Sequence, residues 1–408
     1  MPFNKVFIYL TYALALFPLL KLNHFSILMM IWLLLSLISG FKRQTFSYLK
    51  EEWKTLVVLS FFAWMYWLYL PFATDYNELG KSVVKSLPFI VFPIGFILNK
   101  DLITSQVLKV FGSLFLLTMV ILNILGWISV FSYGFFQAWK ENDFYHPMFR
   151  TLFTEATSLH LPYLGLLSSF AALWAIFRMF QNQKVNLFHI LAVLYLIGSV
   201  YIYSARMALV CFFVGVVFMI WKMISKPLLK WGFLVVIPLG FLILFWFSPV
   251  KERYTQTVEK EWVLPHKGQQ PHEVNYRYGV WHCAVGLIKK HPVTGVGADK
   301  VQQKLDECYN QFDYESYEDF TQVVYNTHNQ YFDQILKFGI FGFIVFCLVL
   351  FRFFPNNFLL YQVFVLIVSV SFLTENLLDR QIGVVFISLF NTIFVISTNK
   401  RDEKNINC

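Results

Sequence analysis

The chain has 408 residues, of which 57% are hydrophobic and 14% are charged, whereas a typical soluble domain has about 25% charged residues. This composition excludes disordered, collagen-like and disulfide-scaffold proteins. The formal charge of +9 comes from basic residues that are scattered between apolar runs. These residues therefore indicate membrane orientation, and we expect no nucleic-acid partner.

Apolar runs of membrane-spanning length follow one another along the sequence. Because a transmembrane helix needs roughly 20 predominantly apolar residues, the runs predict an all-α polytopic membrane protein with about twelve transmembrane helices. The first run follows Lys5 as in a secretory signal, but no small-residue cleavage site comes after it, so we interpret it as the first span. The twelve runs lie near residues 5–20, 25–41, 55–73, 83–98, 107–133, 159–178, 187–204, 207–225, 231–248, 331–351, 357–374 and 382–398.

The basic residues of the short loops predict the orientation in the membrane. One alternate set of loops carries 16 Lys and Arg residues and the other carries 7. We therefore expect the richer set, and both termini, on the cytoplasmic side of a bacterial inner membrane. The predicted parts are helices 1–9 in residues 1–248, an extracytoplasmic loop in 249–330, helices 10–12 in 331–398, and a cytoplasmic tail in 399–408.

The long loop is the only segment with soluble-domain composition, so we expect the chemistry there. Helical spacing predicts helices over residues 275–290 and 298–310. Cys283 and Cys308 share the loop, where an oxidising compartment would permit a disulfide; the sequence leaves this open. The run Gly295–Gly297 precedes the second predicted helix. It favours either anion binding through backbone N–H groups or a tight turn after Pro292.

Several polar residues are predicted to lie together on the outer side of the membrane. An Arg at membrane depth costs about 2.5–3.5 kcal/mol on insertion scales. Arg206, between spans seven and eight, therefore indicates an anionic ligand, unless it reaches the lipid headgroups instead. The other residues predicted on this side are His160 and Tyr163 at the start of span six, Arg277 in the loop, His328 at the start of span ten, and Glu375 and Arg380 in the link between spans eleven and twelve.

Two motifs in this region resemble the signature of the O-antigen ligase and polymerase superfamily. They read RYGVWHCAVGLIKKHPVTGVG from Arg277 and NTHNQYFDQILKFGIFG from Asn326. YSARMAL, from Tyr203, is similar to the family's Ser-Arg segment, with Ala205 inserted. TENLLDRQIGVVF, from Thr374, is similar to a closing segment of members from the Bacteroidetes. The matching motif positions are Arg277, Trp281, His291, Pro292, Gly295, Gly297, His328, Asn329, Gly339 and Gly342.

The resemblance implies transfer of a glycan from undecaprenyl pyrophosphate to an acceptor hydroxyl on the periplasmic face, without a cofactor or a metal. Arg206 and Arg277 would bind the pyrophosphate, because Arg offers permanently charged bidentate donors. His328 would act as the base, since a helix N-terminus disfavours imidazolium; a structural hydrogen bond to the loop is the alternative. The predicted substrate-binding residues are Arg206, Arg277, Trp281, Gly295, Gly297, Asn329, Tyr163, Glu375 and Arg380.

We interpret the chain as an inverting glycan ligase, whose acceptor is lipid A-core or a similar glycan. A polymerase of the same superfamily is the close alternative, and a lipid-linked glycan transporter is a more distant one. Acidic residues of the loop could hold a divalent cation, but their spacing matches no calcium loop and favours a solvated helix face. These acidic residues are Asp306, Glu307, Asp313, Glu315, Glu318 and Asp319.

Overall fold

The computed structural model describes residues 2–133, 147–182, 186–246, 264, 276–312 and 324–406, and these residues form helices and connecting turns without a β-strand. The N-terminal half contains α1 (Pro2–Leu14), α2 (Leu22–Arg43), α3 (Ser47–Glu51), α4 (Trp53–Leu59), α5 (Phe61–Tyr69), α6 (Tyr76–Ser86), α7 (Pro88–Leu98), α8 (Ser105–Tyr133), α9 (Pro147–Thr157) and α10 (Leu161–Asn182). The remaining helices are α11 (Leu187–Ile202), α12 (Arg206–Met223), α13 (Pro227–Trp246), α14 (Tyr276–Lys290), α15 (Val301–Tyr309), α16 (Gln330–Leu350), α17 (Leu359–Ser371) and α18 (Gln381–Ile406).

The apolar helices confirm the polytopic membrane class. Within the described ranges, six helical segments are long and apolar enough to cross a membrane: α2, α6 with α7, α8, α10, α12 and α16. A seventh would consist of α4 and α5, which are bent by 70° at their junction. Each of the twelve predicted runs coincides with helix over most of its described length. Several of these helices are shorter than a full span, so the number twelve stays a prediction.

The core of the bundle is built around α10. This helix packs against α8, α11, α12 and α17, and Phe170 in its middle lies among aromatic rings of other helices. The Phe170 ring centroid is 5.3 Å from that of Phe364 and 5.1 Å from that of Phe390. These aromatic contacts fix the register between helices that share no hydrophobic driving force in lipid.

A break inside α16 was not predicted. Gly339 has φ 67° and ψ −175°, so the helix is interrupted there. The turn that follows α14 fills the gap: the N–H of Ile340 donates to the Pro292 carbonyl at 2.9 Å, and the N–H of Val296 donates to Leu336 O at 2.7 Å. A Cβ at position 339 would lie 1.8 Å from the Val293 carbonyl oxygen. Only glycine fits this conformation and this close approach.

The main described part of the loop segment, residues 276–312, is folded and anchored to the bundle. Its two predicted helices are confirmed as α14 and α15, and a disulfide joins them through Cys283 and Cys308, whose Cα atoms are 5.9 Å apart. Asp299, between these helices, accepts hydrogen bonds from the N–H groups of Thr74 at 2.7 Å and Asp75 at 2.9 Å. Residues 276–312 therefore have a fixed position beside the start of α6 and the break in α16.

Candidate functional site

His328 lies immediately before α16 in an unusual backbone conformation. Its φ is 45°, in the left-handed region that residues other than glycine rarely occupy. The His328 N–H donates to Asn326 Oδ1 at 3.1 Å, and the next residue, Asn329, caps the helix by accepting from the N–H groups of Tyr331 and Phe332. Such conformations persist only where the surroundings hold them, and they cluster at active sites.

Arg277, in the first turn of α14, lies close to Glu375 in the link between α17 and α18. The distance from Arg277 Nη2 to Glu375 Oε1 is 3.6 Å, and the two side chains are 39% and 14% exposed. A charge-assisted hydrogen bond is shorter, at about 2.7–2.9 Å. The pair is therefore a loose contact.

The charges around this pair set the protonation of its neighbours. Burial, together with the positive charges of Arg277 and Arg380, lowers the pKa of His328 to about 4. Burial raises the pKa of Glu375 to about 7, although the same two Arg residues act against the rise. His328 is consequently neutral at pH 7, as a general base must be. The structure thus brings together four predicted site residues from three separate segments.

Three further predicted residues hold these segments in place. Trp281 Nε1 donates to Thr327 O at 3.1 Å, and Asn329 Nδ2 donates to Leu373 O at 3.2 Å. The hydroxyl of Tyr163, in the first turn of α10, donates to Asn376 O at 3.2 Å. These contacts go to backbone carbonyls beside the site and connect α14, α16, α10 and the α17–α18 link.

The glycine run adopts the tight turn that the sequence left as one of two alternatives. Gly295 and Gly297 have φ values of 70° and 104°. The N–H of Gly295 donates to His291 O at 3.1 Å, and that of Gly297 donates to Leu336 O at 3.3 Å. Because these N–H groups already have partners, the geometry favours a structural role over backbone binding of an anion.

Arg206 begins α12 at the same end of the bundle. Gly165, next to Tyr163 on α10, allows close packing there, because a Cβ at 165 would lie 2.8 Å from those of Ala205 and Ala208. Arg150, which the sequence did not single out, donates through Nη1 to Tyr203 O at 2.7 Å. The Arg206 turn is thus fixed against the N-terminal part of α10.

A buried ionic cluster beneath His328 was also missed. The Lys337 ammonium lies 2.6 Å from Asp333 Oδ2 and 2.8 Å from Asp379 Oδ1. Asp379 Oδ2 accepts from Asn376 Nδ2 at 3.0 Å, and Asn376 Nδ2 also donates to Thr327 Oγ1 at 3.0 Å. Hydrogen bonds therefore run from the interior of α16 to the residue before His328. The spacing of Asp333 and Lys337, one helical turn apart in an apolar helix, is the signal that could have revealed the cluster.

These features define a polytopic helical membrane protein with a mixed Arg, His and Glu site at one end of the bundle. Residues 190–347 match the family model described as O-antigen ligase. The matched region covers 158 of the 408 residues and includes Arg206, Arg277 and His328, so the chain is similar over this region to the family that its motifs resemble. No curated protein matches the chain. The similarity of the closing segment to Bacteroidetes members stays a prediction.

Proposed function

We propose that the protein is a glycan ligase that transfers a glycan from undecaprenyl pyrophosphate to an acceptor hydroxyl of lipid A-core or a similar glycan. The observation that carries this proposal is the convergence of Arg277, a neutral His328 and the segment from Glu375 to Arg380. The similarity of residues 190–347 to the O-antigen ligase family supports lipid-linked glycan and glycan acceptor substrates in general. The reaction needs fixed positive charge and a base, and both are present.

The leaving group requires positive charge that is already in place when its bond breaks. As the bond between the anomeric carbon and the phosphate oxygen breaks, the pyrophosphate leaves with the electron pair. Arg277 binds the developing negative charge in exchange for its loose contact with Glu375, and Arg206 approaches from the α12 side. Preorganised charge of this kind is usually the largest electrostatic contribution to catalysis. No metal is needed in this scheme.

His328 accepts the proton of the attacking hydroxyl. The acceptor oxygen then bonds to the anomeric carbon from the face opposite the pyrophosphate, which inverts the configuration. The low pKa of His328 depends partly on Arg277 and Arg380. A bound pyrophosphate neutralises these charges, so donor binding raises the pKa of His328 towards its ordinary value of about 6.5. The base therefore becomes stronger when the donor is present.

Donor binding also favours protonation of Glu375, but the consequence there is the loss of a negative charge. Its pKa is about 7 while Arg277 and Arg380 are nearby. Once those charges are matched by pyrophosphate, the carboxyl binds a proton and becomes a neutral hydrogen-bond donor. This protonation removes a negative charge that would otherwise repel the donor.

The proposal includes a topology of twelve spans with residues 249–330 in the periplasm and both termini in the cytoplasm. The excess of basic residues in one set of loops, 16 against 7, supports this orientation. The disulfide between Cys283 and Cys308 also supports it, because such bridges persist in oxidising compartments. A membrane-impermeant thiol reagent should therefore label Gln311→Cys but not Gln44→Cys in intact spheroplasts; the reverse pattern contradicts the orientation.

Glycan analysis of a deletion strain tests the function most directly. Unligated full-length polymer on the lipid carrier is the expected result for a ligase. Accumulation of single repeat units would instead show the polymerase of the same superfamily, and glycan retained on the cytoplasmic side would show a transporter. Complementation with the wild-type chain and with His328→Ala distinguishes loss of chemistry from loss of the protein.

A further inference from the structure

A second charged pocket lies at the opposite end of the bundle. It is half open and is lined by the first turns of α8 and α17 and by the last turns of α10, with Ser105, Lys109, Arg178 and Gln181 as its polar residues. Nothing in the proposed transfer reaction uses these residues.

The position of this pocket separates it from the transfer site. α10 runs from Tyr163, which contacts the α17–α18 link, to Arg178 in the pocket. Arg178 lies 15 residues after Tyr163, which is a distance of about 22 Å at the helical rise of about 1.5 Å per residue. The proposed orientation places this end at the cytoplasmic face, where Lys109 and Arg178 belong to the basic set of loops.

The guanidinium group of Arg178 is the feature of this pocket that indicates a ligand. Its Nε and Nη1 atoms are buried, and they have no hydrogen-bond partner in the part of the chain that the structure describes. Buried polar groups in proteins are almost always hydrogen-bonded, so an exception indicates a partner from outside the chain, such as water or an ion. Five donors in a planar fork make guanidinium a specific binder of phosphate.

Two helix N-termini add to the positive potential. α8 begins at Ser105 and α17 begins at Leu359, and both first turns line the pocket. The N-terminal end of a helix carries a partial positive charge and N–H groups without helical partners. Together with Lys109 and Arg178, these ends create a site for an anion.

The remaining lining distinguishes a lipid from a soluble anion. Trp174, Phe177, Phe358 and Leu360 form the apolar side of the pocket, next to helices that cross the membrane. The cytoplasmic leaflet of a membrane is rich in anionic lipids, and basic pockets between transmembrane helices bind their headgroups. We propose that this pocket binds the phosphate group of an anionic phospholipid, with the lipid chains against its aromatic side.

Lipid titration of the purified full chain tests the proposal. Native mass spectrometry and thermal unfolding in a neutral detergent would be recorded with phosphatidylglycerol, with phosphatidylethanolamine, or with inorganic phosphate. We expect saturable binding of one phosphatidylglycerol and a higher Tm, and weaker effects of the other two. Arg178→Gln should weaken phosphatidylglycerol binding about 10- to 150-fold, the range for a lost charge-assisted contact. Lys226→Gln, an exposed lysine just before α13, is the matched control and should bind like the wild type.

Three results would overturn the inference. Equal phosphatidylglycerol binding by Arg178→Gln and the wild type would exclude the pocket. Equal effects of phosphatidylethanolamine would remove the preference for an anionic lipid, and equal effects of inorganic phosphate would show a soluble-anion site. If Arg178→Gln does not fold, Lys109→Gln carries the same expectation. None of these measurements depends on glycan transfer, so their outcome is independent of the proposed reaction; only the choice of leaflet rests on the proposed orientation.

Discussion

The two ends of the bundle each hold a basic side chain in helical surroundings, but the charge is compensated differently: Lys337 is buried and Arg178 is half-buried. At the transfer site, the Lys337 side chain is 7% exposed and has carboxylates at 2.6 Å and 2.8 Å. At the other end, Nε and Nη1 of Arg178 are buried without a partner among the described residues. A charge within a membrane helix must be compensated by a partner. The comparison indicates a structural role for Lys337 and, as we propose, a ligand-binding role for Arg178.

The largest expected effect is on the transfer chemistry at the His328 end of the bundle. His328→Ala should lower the turnover of purified protein by about 10²- to 10⁴-fold, because it removes the general base. Binding of the lipid-linked donor should change little, since that depends on Arg206 and Arg277. Single-turnover transfer and donor titration measure the two effects separately. Lys226→Gln is the matched control, and a wild-type rate for His328→Ala would leave Glu375 as the next candidate base.

The second effect is on thermal stability, and it tests the difference between Lys337 and Arg178. Lys337→Met leaves Asp333 and Asp379 without their shared cation, and breaking a buried pair costs about 3–5 kcal/mol. The variant should therefore unfold at a markedly lower temperature in detergent. Adding Asp333→Asn and Asp379→Asn should recover much of the loss. Arg178→Met, measured in lipid-free detergent, should cost much less, and an equal loss in the two Met variants would contradict the distinction.

The third effect is on the leaving group. Arg277→Ala removes a charge-assisted contact of about 1.5–3 kcal/mol, which corresponds to roughly a 10- to 150-fold lower transfer rate. Arg206→Ala should behave similarly. Lysine should rescue poorly at either position, because it lacks the planar fork. Near-normal activity of both Ala variants at equal membrane abundance would exclude the pyrophosphate role.

Much of this architecture could be predicted from the sequence, because a bilayer requires apolar membrane-spanning segments and places the charged residues between them. α14, α15 and the grouping of Arg277, His328 and Glu375 at one end were all anticipated. Local patterns could not show the break at Gly339, since it depends on contact with Val293, which lies 46 residues earlier in the chain.

The buried cluster was missed for a related physical reason. Asp379 lies far from Asp333 and Lys337 in sequence, so only the packing of the α17–α18 link against α16 brings the three charges together. A ligand-binding role of Arg178 could not be recognised from the sequence either, because a basic residue at the cytoplasmic end of a transmembrane helix usually only sets the orientation of the protein in the membrane. What decides its role is the absence of a nearby acceptor in the described residues, which is a property of the fold.

The smallest expected effect is on the pH dependence of transfer. It compares two titrating groups at the same end of the bundle, His328 and Glu375. His328 has a pKa of about 4 in the empty site, so its imidazole is neutral above that pH, and kcat/KM should fall on the acid side only as the pH approaches 4. Glu375 has a pKa of about 7. It gains negative charge as the pH rises through 7, and this charge repels the donor pyrophosphate.

We therefore expect kcat/KM to decline by a few-fold between about pH 7 and pH 8.5 in the wild type. Glu375→Gln stays neutral at every pH and should abolish this alkaline decline while it keeps the acid limb. Arg277→Ala should shift the acid limb upward, because removing one of the two cations beside His328 raises the pKa of its imidazole. An acid limb that stays near pH 6.5 in the wild type, or an alkaline limb that persists in Glu375→Gln, would show that these charges do not control the site in solution.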